Sequence, residues 1–473
     1  MRRVLSLGIA IAVLAGLQLA AAEPCGGSPT MPPLTFDAPQ VIDAERAGGE
    51  PVVQALPDGA LIYLAHAGTT HVKRTNMPDA KFVTPYDASE YLWRSEDAGD
   101  TWDYVGLGGL NRGPHSIGAV GFSDPTSAVD AAGNLYIAGI DMTNVWVARS
   151  ADTGKSWRPA NPVDTVITDR EWLAADRADE VYLNGNQSGR GRQLWKSTNG
   201  GVTFALAKAV TLPGSGAPSP IAVDKSDGRL YFPAADQSSP PFSPGQVAVY
   251  PYAREGDFSS MKLRSVPGGL GHQHGFVNSI ALDAAGNVYV ASNRGRTVSI
   301  GYSTDRGNSW KSVTVATASG TVLWPWVSAG DDGSVGIAWL QADRDVGSST
   351  GHEVANYRVY AAQSVTGHGW TDGCAVAHAP EFQVAMATPT PIHVGTICED
   401  CGHERERSVS ADPEPSKLPM YRETPDRRTD FRACEHVAAG QRNPCPSCVE
   451  VVGELRRRFR DYGHQIERRN QRL

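Results

Sequence analysis

Cysteine is scarce in most of this chain. Of its seven cysteines in 473 residues, only Cys25 and Cys374 precede residue 398. A fold stabilised by several disulfides is therefore excluded for the first 397 residues, which need a hydrophobic core of their own. Basic charge is also lacking, since 43 Lys and Arg stand against 51 Asp and Glu, a net charge of -8. That balance gives no reason to expect nucleic acid as a partner.

Long apolar runs are absent apart from one near the N-terminus. Two arginines precede an apolar run over residues 4–19, and three alanines follow it. This is the pattern of a cleavable signal peptide, here over residues 1–22. No later stretch is long enough to span a bilayer. We therefore expect an exported bacterial protein that has no membrane contact after cleavage, with a linker over residues 23–35.

No helical periodicity of apolar residues appears before residue 449 either. The chain instead repeats one motif of eight residues, called the octet here, at a spacing of about 50 residues. Two eroded copies, YAREGDF (252–258) and SVTGHGW (364–370), fill out the series. The four clear copies are SEDAGDTW (95–102), SADTGKSW (150–157), STNGGVTF (197–204) and STDRGNSW (303–310).

A second pattern precedes each octet, as in SAVDAAGNLYIA (127–138) and IALDAAGNVYVA (280–291). It reads as a short strand, a tight turn built on Asp and Gly, and another strand. With the apolar runs on either side of the octet, every unit contains four strands. Such units at this period predict an all-β fold, a β-propeller over residues 36–397. Six blades are expected, and the pattern leaves seven open.

The octet has the residues that a turn between two strands needs. Gly takes a left-handed backbone position, Asp and Ser or Thr bond the free backbone groups, and Trp packs beneath. The octet sequence resembles the Asp-box, or BNR repeat, of the sialidase and neuraminidase superfamily, and the resemblance covers residues 36–397. The resemblance implies that the octets are scaffolding at the blade periphery. It also implies a ligand site on the opposite face, over the central axis.

That opposite face is formed by the loops between second and third strands and by the crossings between blades. Polar and aromatic side chains gathered on such loops suit a polar ligand. The residues that we predict to bind the ligand are Arg170, Trp172, Trp324, Trp326 and Arg344. The candidates for catalysis are Asp169, Glu171, Glu353 and Tyr357.

The resemblance also implies an exacting set of catalytic residues. A retaining sialidase grips the substrate carboxylate with three arginines and uses a tyrosine nucleophile activated by a glutamate, with an aspartate as acid/base. The first arginine belongs to a Phe/Tyr-Arg-Ile-Pro motif. The matching stretch here has Gly49 in place of the arginine and Glu50 beside it, where a carboxylate repels an anionic substrate. Tyr357 with Glu353 is the one plausible tyrosine–glutamate pair.

Two functions remain in view. The stretches at 169–183 and 324–340 are similar to secreted sialidase-like proteins of high-GC bacteria, which generally lack the catalytic set. We therefore expect, first, a non-catalytic propeller that binds an extracellular glycan or protein. The alternative is a divergent exo-glycosidase, a sialidase-like hydrolase. An enzyme needs carboxylates that converge on the axis, whereas a binder needs only aromatic and hydrogen-bonding groups. Neither requires a cofactor, although the resemblance allows structural calcium.

The composition changes abruptly at residue 398. No Trp follows it, and only 4 of the 50 Gly do, against 14 Arg. The abrupt change is what a reading-frame shift in a GC-rich gene produces. We expect residues 398–473 to be an irregular or short helical tail outside the propeller. The alternative is a small module: the CxxC spacing suits a zinc site, and an oxidising compartment favours disulfides. The cysteines concerned are Cys398, Cys401, Cys445 and Cys448.

Overall fold

The fold comes from a computed structural model of the chain. The expected signal peptide and the Cys- and Arg-rich tail lie outside the residues that the structure describes. Within the described part, no helix is long and apolar enough to cross a membrane. The described residues are 34–394 except 38, 44–47, 68–89, 106–123, 142–143, 165, 167, 189, 210–218, 235–244, 271–277, 347–354, 365–381 and 388–391.

The strands form six antiparallel sheets, each with four strands joined in chain order. This confirms the all-β propeller with six blades. The first three blades are β1 (Gly48–Ala55), β2 (Leu61–Ala67), β3 (Glu90–Ser95) and β4 (Asp103–Tyr104); β5 (Thr126–Val129), β6 (Leu135–Asp141), β7 (Asn144–Ser150) and β8 (Arg158–Pro162); and β9 (Thr168–Ala175), β10 (Val181–Gln187), β11 (Gly191–Ser197) and β12 (Ala205–Ala209).

The remaining blades follow the same order, and the last gains a fifth strand that pairs with its third. They are β13 (Ala222–Val223), β14 (Leu230–Ala234), β15 (Gln246–Tyr250) and β16 (Lys262–Ser265); β17 (Ile280–Leu282), β18 (Val288–Arg294), β19 (Thr297–Ser303) and β20 (Lys311–Thr317); and β21 (Val322–Ala329), β22 (Val335–Ala342), β23 (Ala355–Ser364), β24 (Phe382–Met386) and β25 (Ile392–Val394).

The hydrophobic core is divided into layers between neighbouring blades. Side chains alternate between the two faces of a strand, so each sheet presents one apolar face to each neighbour. Between the first and second blades, for example, Ile62 and Leu92 pack with Ile137 and Trp146. Comparable layers join each later blade to the next. From the first blade through to the sixth, the first strand of each blade contacts the first strand of the next, so these inner strands line the axis.

The ring closes differently between the sixth and first blades. Among the described residues, these two blades have separate apolar clusters and share none. Residues 34–37 and 39–43, which form no strand, reach both blades instead. The Leu34 N–H donates to Gln383 Oε1 on β24 at 3.0 Å. At the other end, Asp43 Oδ2 accepts the Trp93 indole N–H at 2.9 Å, and Ile42 packs against the first blade.

The octets form the turns between third and fourth strands, and their predicted chemistry is confirmed. In the second blade the Gly154 N–H donates to Ser150 Oγ at 2.8 Å. Asp152 Oδ1 accepts the Ser156 N–H, also at 2.8 Å. The octet glycines have positive φ, such as 86° at Gly154. The residue before each glycine is left-handed too, which the sequence did not predict: Ala98, Thr153, Gly200 and Arg306.

One octet substitution has a pH-dependent outcome. Hydrogen bonds from the Ser156 hydroxyl and N–H lower the pKa of Asp152 to about 2. Its folded pKa lies below its unfolded value, so its stabilisation is present above about pH 4 and is lost as pH falls towards about 2. We expect Asp152→Ala to lower the free energy of unfolding by about 1 kcal/mol at pH 7, because the side chain is exposed. Urea titrations at pH 7 and pH 3 measure the difference.

The third blade supplies the matched control. There Asn199 replaces the aspartate, and its Oδ1 still accepts the Thr203 N–H at 3.0 Å. Asp152→Asn should therefore keep most of the stability at pH 7 and lose its dependence on pH. An equal loss in Asp152→Asn and Asp152→Ala would contradict this account of the turn.

The Asp–Gly turns between first and second strands also join blades. Asp283 is buried, and its carboxylate accepts hydrogen bonds from Asn287 and from the Tyr289 hydroxyl in its own blade. It also accepts the Gly333 N–H of the sixth blade at 3.0 Å. Asp130 occupies the equivalent position in the second blade and accepts the Asp179 N–H of the third blade at 3.1 Å. These aspartates stabilise both the turn and the contact between blades.

Candidate functional site

Three inner strands begin with the same irregularity. In β1, β9 and β21, one extra residue forms a β-bulge against the second strand of the blade. The first bulged residue has positive φ in each case, 51°, 55° and 49°. Such a conformation costs a non-glycine residue about 1–3 kcal/mol, and this kind of strain is concentrated at functional sites. The three residues are Glu50, Arg170 and Trp324.

The position of the bulges defines one end of the axis. The octets follow the third strands, so the first strands start on the opposite face of the propeller. Glu50, Arg170 and Trp324 thus surround the mouth of the central channel on the face that the sequence predicted for a ligand. We call this place the axial site.

Asp124 connects the charged groups of the axial site. It lies just before β5, and its Oδ2 accepts the Arg170 backbone N–H at 2.8 Å. Its carboxyl group is also hydrogen-bonded to those of Glu50 and Asp169. Two carboxyl groups bond in this way only if one carries a proton. The Arg170 Nε is 3.9 Å from Asp169 Oδ2 and provides positive charge beside them.

The pKa values follow from this crowding. Enclosure by the protein, then a hydrogen bond and repulsion from Asp124, raise the pKa of Glu50 to about 9. Its side chain still has an exposed surface, as expected of a group that protein surrounds at an open channel mouth. Enclosure and the Asp124 charge also raise the pKa of Asp169, against the opposing effect of Arg170. At neutral pH Glu50 is therefore protonated.

More titratable groups lie beneath this layer. Glu171 and Glu90 are both fully buried. Among the described residues, neither oxygen of Glu171 has a hydrogen-bond partner outside its own backbone. Burial, followed by the charge of Asp124, raises the pKa of Glu171 well above its usual value. His66 is buried as well and lies against Gly49, where a Cβ atom would overlap its imidazole. An arginine at position 49 would thus collide with His66.

Aromatic side chains also meet at the axial site. Trp172 of the third blade and Trp326 of the sixth have ring centroids 5.7 Å apart. These blades stand opposite one another in a ring of six, so the two indoles meet across the axis. Trp324 and Trp326 are 40% and 43% exposed. The axial site therefore combines carboxyl groups with exposed indole surface.

The structure brings together most of the predicted site residues, and it separates others. Asp169, Arg170, Glu171 and the three tryptophans belong to the axial site. Tyr357 is buried in the apolar cluster of the sixth blade, on the third strand and away from the axis. Arg344 is exposed after β22. Glu353 and the tail cysteines lie outside the described residues.

Sequence reasoning missed several members of the site. Asp124, His66 and Glu90 carry no motif of their own. Glu50 was considered only as a carboxylate that would repel an anionic substrate. An alignment of the three inner strands would have indicated the shared bulge. The stretches are GEPV (49–52), DREW (169–172) and LWPW (323–326).

The donor set does not point to a metal. Within the described residues, no group of three or more His, Cys, Asp or Glu side chains has an arrangement that suits a metal ion. The axial carboxyl groups bond to one another rather than surround a cavity. The calcium and zinc expectations thus receive no support from these residues and remain predictions.

The fold and the site define a six-bladed β-propeller with an acidic axial site. No protein-family model matches the chain. A xyloglucanase of Hypocrea jecorina (strain QM6a) is 36% identical over 135 residues, 26% of this chain and 16% of that enzyme. A xyloglucanase of Paenibacillus sp. is 28% identical over 273 residues, 54% of this chain and 25% of that enzyme. The chain thus spans no more than a quarter of the length of these curated relatives.

Solved structures with a similar arrangement are more distant in sequence. The Hadza microbial sialidase Hz136 is 14% identical, with a TM-score of 0.38 over 61% of this chain and 62% of that one. The α-L-arabinofuranosidase Arb93A of Fusarium graminearum is 13% identical, with a TM-score of 0.41 over 68% and 95%. Similarity at this level carries no information on activity.

Proposed function

We propose that the chain is an exported glycoside hydrolase whose reactive centre is the axial site. The observation that carries the proposal is the contact of Asp124 with both Asp169 and Glu50, whose pKa is raised to about 9. Sites that separate the pKa values of neighbouring carboxyl groups supply both an acid and a base at one pH. Export rests on the signal-peptide pattern of residues 1–22.

The chemistry assigns a role to each group. Glu50, protonated at neutral pH, donates its proton to the oxygen of the leaving sugar. Asp169 accepts a proton from a water molecule, whose oxygen bonds to the anomeric carbon as the glycosidic bond breaks. Asp124 positions both carboxyl groups and the Arg170 backbone. The exposed faces of Trp324 and Trp326 pack against the sugar rings.

A binding function is the second candidate, and one observation favours it. Glu50 and Asp169 are both bonded to Asp124, so the assigned acid and base are engaged with a third carboxyl group when no substrate is present. If no substrate separates them, the same groups and the tryptophans serve only to hold a glycan. The two candidates therefore differ in turnover and share the same ligand-binding residues.

The names of the curated relatives suggest the first substrate. Release of reducing ends should be measured on xyloglucan oligosaccharides, with a fluorogenic sialoside in parallel. We expect turnover of the neutral oligosaccharide and none of the sialoside, whose carboxylate the axial carboxylates repel. Asp343→Asn, a change on the same face away from the axis, should leave turnover unchanged. Binding without turnover, lost in Trp324→Ala, would favour the second candidate.

A further inference from the structure

The side of β18 and β19 that packs against the fourth blade changes character along its length. Side chains two residues apart on a strand lie on the same face. Near the octet end of β18, Val290 belongs to the apolar layer between the fourth and fifth blades. Further along β18 the same face carries Ser292 and Arg294. Their cross-strand partners on β19 are Ser299 and Thr297, so the layer becomes polar towards the opposite end of the hairpin.

This polar stretch borders a cavity between the two blades. The cavity has a volume of about 200 Å³ and is lined by Gly268, Gly269, Ser292, Arg294, Thr297 and Ser299. It has room for roughly six or seven water molecules, or for one small polar molecule in their place. The two glycines belong to a turn after β16, with φ of 80° and 75°. Glycine adopts such angles without strain and brings no side chain, so the turn leaves this space open.

Arg294 is the charged residue of the lining. Its Nη2 donates to the Gly268 carbonyl at 2.9 Å, which positions the guanidinium group beside the cavity. The other arginine of the hairpin, Arg296, forms a two-point ion pair with Asp345 of the sixth blade. Within the part of the chain that the structure describes, Arg294 has no such carboxylate. Its positive charge is therefore available to an anionic ligand.

The lining offers two kinds of hydrogen-bonding group at different depths. Ser292 is only 4% exposed, so its hydroxyl group lies at the inner end of the cavity. Thr297 and Ser299 are half-buried, and Arg294 is exposed. Hydroxyl groups both donate and accept, which suits the hydroxyl groups of a sugar. A guanidinium group only donates, in a planar fork that matches a carboxylate or sulfate group.

We propose that this cavity binds an acidic sugar residue. The Arg294 guanidinium group binds its carboxylate or sulfate group, and the hydroxyl groups of Ser292, Thr297 and Ser299 bind its ring hydroxyl groups. The cavity lies between the fourth and fifth blades and is separate from the axial site. The inference therefore goes beyond the proposed function and does not depend on it. It adds a ligand class, glycans that carry uronate or sulfate groups.

Four small probes test the proposal: methyl glucuronide, glucose 6-sulfate, methyl glucoside and inorganic sulfate. Their affinities for the full chain are measured by NMR titration at about pH 7, where the carboxyl group of the glucuronide is ionised. We expect one of the acidic sugars to bind at least about 10-fold more tightly than the glucoside and inorganic sulfate. The acidic sugar that binds more tightly identifies the anionic group. Its advantage over the glucoside should shrink in about 0.5 M sodium chloride, because salt screens an exposed charge.

Variants locate the binding. Arg294→Gln should reduce the affinity for the acidic sugar by at least about 10-fold, to that of the glucoside. Arg294 is exposed, so the change should not affect folding, which thermal unfolding checks. Arg296→Gln is the matched control, because it removes the same charge from the same hairpin on the side of Asp345. It should leave the affinity unchanged. Ser292→Ala should weaken the acidic sugar and the glucoside alike, by about 2- to 10-fold.

Three results would overturn the inference. The first is equal affinity for the acidic and neutral sugars. The second is an equal loss in Arg294→Gln and Arg296→Gln, which would indicate a general effect of net charge. The third is inorganic sulfate that binds as tightly as the acidic sugars, which would leave an anion site without a sugar. None of them affects the proposed function, because turnover of the xyloglucan oligosaccharide at the axial site should be the same in wild type and Arg294→Gln.

Discussion

Asp283→Ala is expected to lower the free energy of unfolding by about 3–5 kcal/mol, because it removes a buried carboxylate that several donors share. Asn287 and the Tyr289 hydroxyl would lose their acceptor within the fifth blade. The Gly333 N–H of the sixth blade would lose its acceptor as well. The loss thus affects a turn and the junction of two blades together. Urea unfolding at pH 7, followed by tryptophan fluorescence, measures it.

Two further variants make this prediction specific. Asp331 belongs to the turn of the sixth blade, but its side chain is exposed and its carbonyl accepts the turn hydrogen bond. Asp331→Ala should therefore change stability by less than about 0.5 kcal/mol. Asp283→Asn keeps one acceptor oxygen and places an NH₂ group against donors, so most of the loss should remain. A loss below about 1 kcal/mol in Asp283→Ala would contradict the assigned role.

Glu50→Gln is expected to reduce kcat on the oligosaccharide by about 10²–10⁴-fold, the usual contribution of a general acid. The pH dependence gives a sharper result. Glu50 acts while protonated, so wild-type activity should decline as pH rises through about 9, the value to which its environment raises its pKa. Asp169 acts while ionised, so activity should also decline as pH falls below its raised pKa. The wild-type pH profile of kcat/KM should then be bell-shaped.

The variant should change the shape of that profile and not only its height. Without a titrating acid at position 50, the alkaline decline near pH 9 should disappear from the residual activity. Asp343→Asn, on the same face, should keep the complete bell. A wild-type profile without an alkaline decline, or full kcat in Glu50→Gln, would remove Glu50 from the reaction.

Much of the fold was predictable, because its signals are local. The octet at 150–157 contains every donor and acceptor of its own turn, and its geometry agrees with the prediction. The DAAGN turns are equally local, although their contacts with the next blade are not. Six copies at a spacing of about 50 residues predicted six blades and left seven open. The sequence could not predict that the sixth and first blades have separate apolar clusters, because this depends on how the ring closes.

The site was less predictable. Asp169, Arg170, Glu171 and the three tryptophans could be chosen because strand order assigns them to one face. Their partners could not, because Asp124 lies 46 residues from Arg170 in the chain, and Asp124, Glu90 and His66 carry no motif. The placement of Tyr357 shows the same limit, since its burial in the sixth blade follows from packing against Leu323 and Ala355.

The sequence by itself determined the repeated unit, its four strands and the chemistry of its turns, since these depend on residues within about 15 positions of one another. Only the tertiary structure decided where charge accumulates. A bulge that recurs in three inner strands places Glu50, Arg170 and Trp324 around one axis. The packing of the first three blades side by side then places Asp124 beside Glu50 and Asp169, where enclosure by the protein and the neighbouring Asp124 raise both pKa values.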